Sequence, residues 1–134
     1  MSTTLKIRDE TTFNLGDEND SGFLLDVPDE RITVRELIRT RVYQEVYQYN
    51  LDRPEYFHGL IQPSDAERSL NGFKMRNRRI IDPERQFEMA IKAFYSNGFI
   101  VLLDDRQVDE LEEEIEVRRD TTVTFLKLVP LVGG

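Results

Sequence analysis

The chain has no cysteine and one histidine. Without cysteine there is neither a disulfide framework nor a thiol nucleophile. The lone histidine, His58, stands beside Phe57 and Gly59 with no clustered partners, so a structural or surface role is expected rather than a metal site. No apolar run is long enough to span a membrane. The opening MSTTLKIRDE lacks the basic segment and apolar core of a secretion signal, and the cytoplasm is the expected compartment. A glycine loop followed by lysine and a hydroxyl residue, which would cradle phosphate, is missing too. Asn71-Gly72 and Asn97-Gly98 read as turns. Ser21, Ser64 and Ser96 lie in no nucleophile motif. These absences point away from catalysis within the chain; no catalytic residue, bound cofactor or metal is expected.

What the chain has in quantity is charge. Its 134 residues fit one domain, and charged residues make up 33% of them. The net charge of -8 argues against general nucleic-acid affinity, because phosphates repel such a chain on average. Acidic residues gather at 17–20 and 104–116; the second run lacks the ligand order of a calcium loop and reads as a solvated face. Arginines outnumber lysines fourteen to four, and Arg76, Arg78 and Arg79 form a local basic cluster suited to an acidic partner.

Hydrophobic periodicity orders the rest. Thr3, Leu5 and Ile7 alternate with Thr4 and Lys6, a first strand over 3–8. A polar connection at 14–21 leads to a second strand over 22–27, so a hairpin is the simplest arrangement. Thr33 and Glu36 have capping-box spacing, and Val34, Leu37, Ile38, Val42, Val46 and Tyr49 make one stripe of a helix over 34–49, edged by Arg41 and Glu45. Tyr43 and Tyr47 are four apart and form a ridge beside it. The stretch 50–79 is less regular, with a short helix expected at 64–70 from Ser64 and Glu67. Asp82-Pro83 opens a second helix that Asn97-Gly98 closes. Strands over 99–103 and 106–108 flank the Asp104-Asp105 turn. A single turn pinned by Leu111 and Ile115 follows, then a final strand from Thr121 that places Val123 and Phe125 on one face. Pro130 ends ladder pairing, leaving an exposed tail at 130–134.

Hairpin, helix, further strands and a Gly133-Gly134 ending resemble the ubiquitin-like beta-grasp family, which includes small sulfur carriers. The resemblance covers about two thirds of the chain, at 3–46 and 99–134. It implies an α+β fold, a mixed sheet crossed by a helix, in a single domain over 1–134 with an additional helical insertion at about 50–98. It also implies that the Gly134 carboxylate is adenylated by a partner activating enzyme that uses ATP, passed to a thiol as a thioester, and resolved by a target amine into an amide or isopeptide bond. Pro130, Leu131 and Val132 match the approach to that terminus. None is basic, which suggests a bacterial modifier with its own activating enzyme, conjugating enzyme and deconjugating peptidase. Glycine suits the role physically, since an end without side chains threads a narrow cleft. Leu126 and Leu128, with Arg76, Arg78 and Arg79, are the candidate partner surface. The alternatives are a sulfur carrier ending in a thiocarboxylate and a noncovalent adaptor. Neither nucleic acid nor membrane is an expected partner.

Overall fold

The computed structural model of the chain describes residues 3–11, 22–69 and 71–128. In order these form β1 (Thr3–Thr11), β2 (Phe23–Val27), β3 (Arg31–Thr33), α1 (Val34–Asp52), β4 (Tyr56–Phe57) and β5 (Ala66–Ser69). There follow β6 (Gly72–Met75), α2 (Pro83–Tyr95), β7 (Phe99–Leu103), β8 (Arg106–Val108), β9 (Glu114–Glu116) and β10 (Thr122–Lys127). The fold is α+β, with a mixed sheet and two helices among the described residues. The expected connection at 14–21 lies outside them. Two compact units divide the chain: Met1–Leu37 with Ala93–Gly134, and Ile38–Lys92.

The first unit is built on a five-stranded sheet ordered β2-β1-β10-β7-β8. β1 and β2 pair antiparallel with Leu5 opposite Leu25, as the alternation implied. β10 lies between β1, to which it is parallel, and β7, to which it is antiparallel. Because side chains alternate across a strand, this register gathers Leu5, Ile7, Leu25, Val27, Val101, Val123 and Phe125 on one buried face. Asp104 takes the left-handed conformation at φ 54° and turns β7 into β8. Its backbone N–H donates to the Thr122 carbonyl at 2.8 Å, and its Oδ1 accepts from the Thr122 N–H at 3.1 Å, which ties that turn to the start of β10.

A short ribbon, β3 with β9, places Ile32 opposite Ile115. Leu111 and Ile115 are both buried, as their spacing implied, but 114–116 is extended rather than part of the pinned turn. That turn receives the start of α1: the Val34 and Arg35 N–H groups donate to the carbonyls of Glu113 and Leu111 at 3.0 and 2.9 Å. The Thr33 hydroxyl accepts from the Glu36 N–H at 3.1 Å and donates to the Glu36 carboxylate at 3.2 Å. These bonds satisfy donors that a helix leaves orphaned at its first turn.

The second unit holds most of α1 and α2 and a three-stranded sheet ordered β4-β6-β5. α1 extends to Asp52, beyond the expected 49. The short helix expected at 64–70 is absent; β5 occupies that stretch and pairs antiparallel with β6 from Ala66 opposite Met75 to Ser69 opposite Gly72. Gly72, at φ 119°, permits a turn that a side chain there would strain, and the Ser69 hydroxyl donates to its carbonyl at 2.8 Å. Glu67 serves an ion pair with Arg76 at 3.1 Å instead of capping a helix. α2 begins as the Asp82-Pro83 pair implied, with Asp82 Oδ1 accepting the Glu84 N–H at 3.0 Å.

Candidate functional site

The final strand leaves the first unit from the middle of its sheet. Between Lys6 and Thr11 on one side and Phe99 and Leu103 on the other, both edges of β10 are paired. Its last fastening among the described residues is a hydrogen bond from the Leu128 N–H to the Gly98 carbonyl at 3.1 Å. Gly98 is itself held, its N–H donating to the Ala93 carbonyl at 2.7 Å while Asn97 adopts φ 59° at the end of α2. Beneath the exit, the rings of Phe94, Phe99 and Phe125 follow one another at centroid distances of 6.0 and 5.9 Å. The root of the expected tail is therefore fixed by sheet pairing, a helix cap and an aromatic row. Pro130, Leu131, Val132, Gly133 and Gly134 lie outside the described residues.

Leu126 is half-buried and Leu128 is 37% exposed. Register places Leu126 opposite Ile100 and Thr124 opposite Leu102, on the face away from Phe125. Ile100 and Leu102 are half-buried as well, so β7 and β10 present an apolar strip beside the exit, a component the sequence reading missed. Arg76, Arg78 and Arg79 belong to the second unit. Arg76 is paired with Glu67, while Arg78 and Arg79 are exposed.

The acidic run in the first unit is extensively paired. Arg35 Nε meets Glu112 at 2.7 Å, Arg106 meets Glu113 at 2.9 Å, and Arg118 meets Glu116 at 3.1 Å. The hydrogen bond to Glu112 holds the Arg35 guanidinium above its ordinary value. No group of three or more His, Asp or Glu side chains among the described residues is arranged to hold a metal ion. His58 is exposed.

The tyrosine ridge on α1 divides. Tyr47 is exposed, whereas Tyr43 donates its hydroxyl to Glu84 of α2. Arg39 lies over the Tyr43 and Phe87 rings at 4.7 and 5.0 Å and pairs with Glu84 at 3.1 Å. The bond to Glu84 raises the Tyr43 pKa above its ordinary 10.0, burial adds to the rise, and Arg39 opposes it. Burial of the Tyr49 hydroxyl raises that group as well. For both tyrosines the fold favours the protonated form. Their contribution to stability is intact below the unfolded value of about 10 and is lost as pH rises through the higher folded values. The urea midpoint should accordingly fall above pH ~10, and Tyr43→Phe should flatten that fall; an unchanged slope would contradict the Tyr43–Glu84 assignment.

No protein-family model, curated protein or solved structure matches the chain.

Proposed function

We propose that this chain is a ubiquitin-like protein modifier whose fold is a beta-grasp and whose reactive group is the Gly134 carboxylate. The observation that carries this reading is the placement of β10. It is central in the order β2-β1-β10-β7-β8, parallel to β1, and fastened as far as Leu128. That topology is compatible with a beta-grasp, and the Gly133-Gly134 ending supplies a thin, unbranched end beyond a rigid root.

In the proposed reaction a partner enzyme aligns the Gly134 carboxylate with ATP. A carboxylate oxygen attacks the α-phosphorus, forming an acyl adenylate and releasing pyrophosphate. A partner thiolate attacks the acyl carbon and expels AMP, giving a thioester. A target amine then displaces the thiolate, loses a proton and retains the acyl group as an amide. This chain is the substrate throughout; ATP, the thiol and the acid–base groups belong to the activating and conjugating enzymes, and a deconjugating peptidase reverses the linkage. The strip of Ile100, Leu102, Leu126 and Leu128 is the proposed docking face for the activating enzyme. The proposed compartment is the cytoplasm; no helix among the described residues is long and apolar enough to cross a membrane.

The test is ATP–pyrophosphate exchange with the cognate activating enzyme that the proposal requires. Exchange should appear with the full chain and fall by about 100-fold or more when Gly134 is deleted, because the attacking carboxylate is moved one residue back from the α-phosphorus. The folding transition of the deletion should match the parent. Absence of exchange with the parent chain would refute the proposal. Intact mass then separates an amide-linked product from the thiocarboxylate of a sulfur carrier.

A further inference from the structure

The second unit contains a cleft of about 160 Å³ whose lining includes Met75, Arg79, Ile80, Ile81, Arg85 and Met89. Its buried apolar lining is made by Pro63, Met75 and Ile81, with the half-buried Met89. That volume is comparable to an apolar cavity known to admit one benzene ring. Ile80, on the rim, is 70% exposed.

The rim is held in place. Asn50 accepts the Ile81 N–H at 2.9 Å and donates to the Ile81 carbonyl at 3.0 Å, clamping the backbone beside Ile80. The Arg76 N–H donates to the Asp65 carbonyl at 3.0 Å, and the Arg79 N–H to the Asn77 carbonyl at 2.7 Å. An exposed isoleucine on a backbone pinned on both sides is a preorganised contact, so little ordering entropy is lost when something covers it.

Charge indicates what covers it. Residues 38–92 contain ten Lys or Arg and eight Asp or Glu, a net charge of +2, which leaves -10 on the rest of a chain totalling -8. Arg53, Arg68, Arg78, Arg79 and Arg85 have no ion-pair partner among the described residues. Two of them, Arg79 and Arg85, line the cleft, and Arg78 adjoins it in sequence. Asp65 and Asp82 also line it, Asp82 as the cap of α2. Guanidinium groups without internal carboxylates favour carboxylates from outside, and their planar forks suit two-point pairing.

We propose that this cleft docks an acidic segment of a partner protein, one large apolar side chain entering against Met75, Ile81 and Met89 while flanking carboxylates pair with Arg79 and Arg85. The proposal stands independently of the Gly134 chemistry. It assigns the second unit a recognition role that deletion of Gly134 leaves untouched.

Fluorescence anisotropy of the full chain with a fluorescein-labelled Glu-Glu-Phe-Glu-Glu peptide tests it. Binding should weaken by about tenfold or more in the Arg79→Glu, Arg85→Glu double variant and when alanine replaces the peptide phenylalanine. It should also weaken as salt rises from about 50 to 200 mM, since exposed charge pairs are screened. Asp65→Asn should tighten it, because that change removes a like charge from the cleft. Arg119→Glu, in the first unit, should leave it unchanged and controls for net charge. Circular dichroism verifies that each variant is folded. No binding by about 1 mM peptide, equal binding of Lys-Lys-Phe-Lys-Lys, or an unaffected double variant would overturn the proposal. Tighter binding of a single-stranded oligonucleotide at the same arginines would overturn it in favour of a nucleic-acid site.

Discussion

Phe125→Ala is expected to lower the stability of the chain by about 3–5 kcal/mol, read as a fall in the urea midpoint. Phe125 is fully buried on the central strand, between Asp9 of β1 and Val101 of β7 in the register. Truncation removes its apolar burial and leaves a cavity beneath paired strands that cannot close over it. It also removes the sheet end of the Phe94–Phe99–Phe125 row, where the contact with Phe99 is 5.9 Å. Leu126→Ala, one residue on and facing the other way, removes a half-buried side chain and should cost well under half as much. Equal costs would mean that the two faces of β10 are misassigned. Since Phe125 underlies the strand that fastens Leu128, its loss should also raise proteolytic cleavage near the strand end before Leu126→Ala does.

Arg41→Ala should cost nearly as much, about 3 kcal/mol, for an electrostatic reason. Arg41 is 1% exposed, and its Nε and Nη2 atoms both lie 3.3 Å from Glu45 Oε2. Glu45 Oε1 accepts the Leu60 N–H at 3.2 Å, so one carboxylate links α1 to the chain that follows β4. Removing the arginine takes the paired cation away from a carboxylate that has limited access to water, its side chain being 16% exposed. Replacing both partners by methionine removes that charge with the pair, although the Leu60 N–H loses its acceptor. The Arg41→Met, Glu45→Met double variant should therefore be more stable than the sum of its single changes predicts. A double-mutant cycle by urea unfolding measures that coupling; additivity within about 0.3 kcal/mol would show that the two groups act separately.

The legible parts of the fold were those whose signals are local. Thr33 and Glu36 marked the start of α1, Asp82-Pro83 marked α2, and alternation at Thr3–Ile7 marked β1, each through contacts a few residues apart. What escaped depends on distant partners. β3 and β9 have three residues each and acquire strand geometry by pairing across the first unit. At 64–69, Ser64 and Glu67 imitated a cap, but the turn at Gly72 offered β5 an antiparallel neighbour and Glu67 formed an ion pair with Arg76. Arg41 looked like the edge of an apolar stripe; its burial depends on Glu45 and on the chain around Leu60. Of the candidate site, Leu126 and Leu128 were legible because β10 alternates, whereas Ile100 and Leu102 became their neighbours only through the register with β7. The cleft beside α2 joins residues from 63 to 89, and no periodic pattern spans that distance.

The parallel pairing of β1 with β10 has a mechanical consequence. Six register pairs, from Lys6–Thr122 to Thr11–Lys127, run side by side in the same direction. A pull applied between the start of β1 and the end of β10 drives the two strands past each other lengthwise. Their cross-strand bonds then share the load as a shear joint, where an antiparallel hairpin pulled apart at its open end yields one bond at a time. A load applied between those two points is therefore borne along the whole length of the β1–β10 seam.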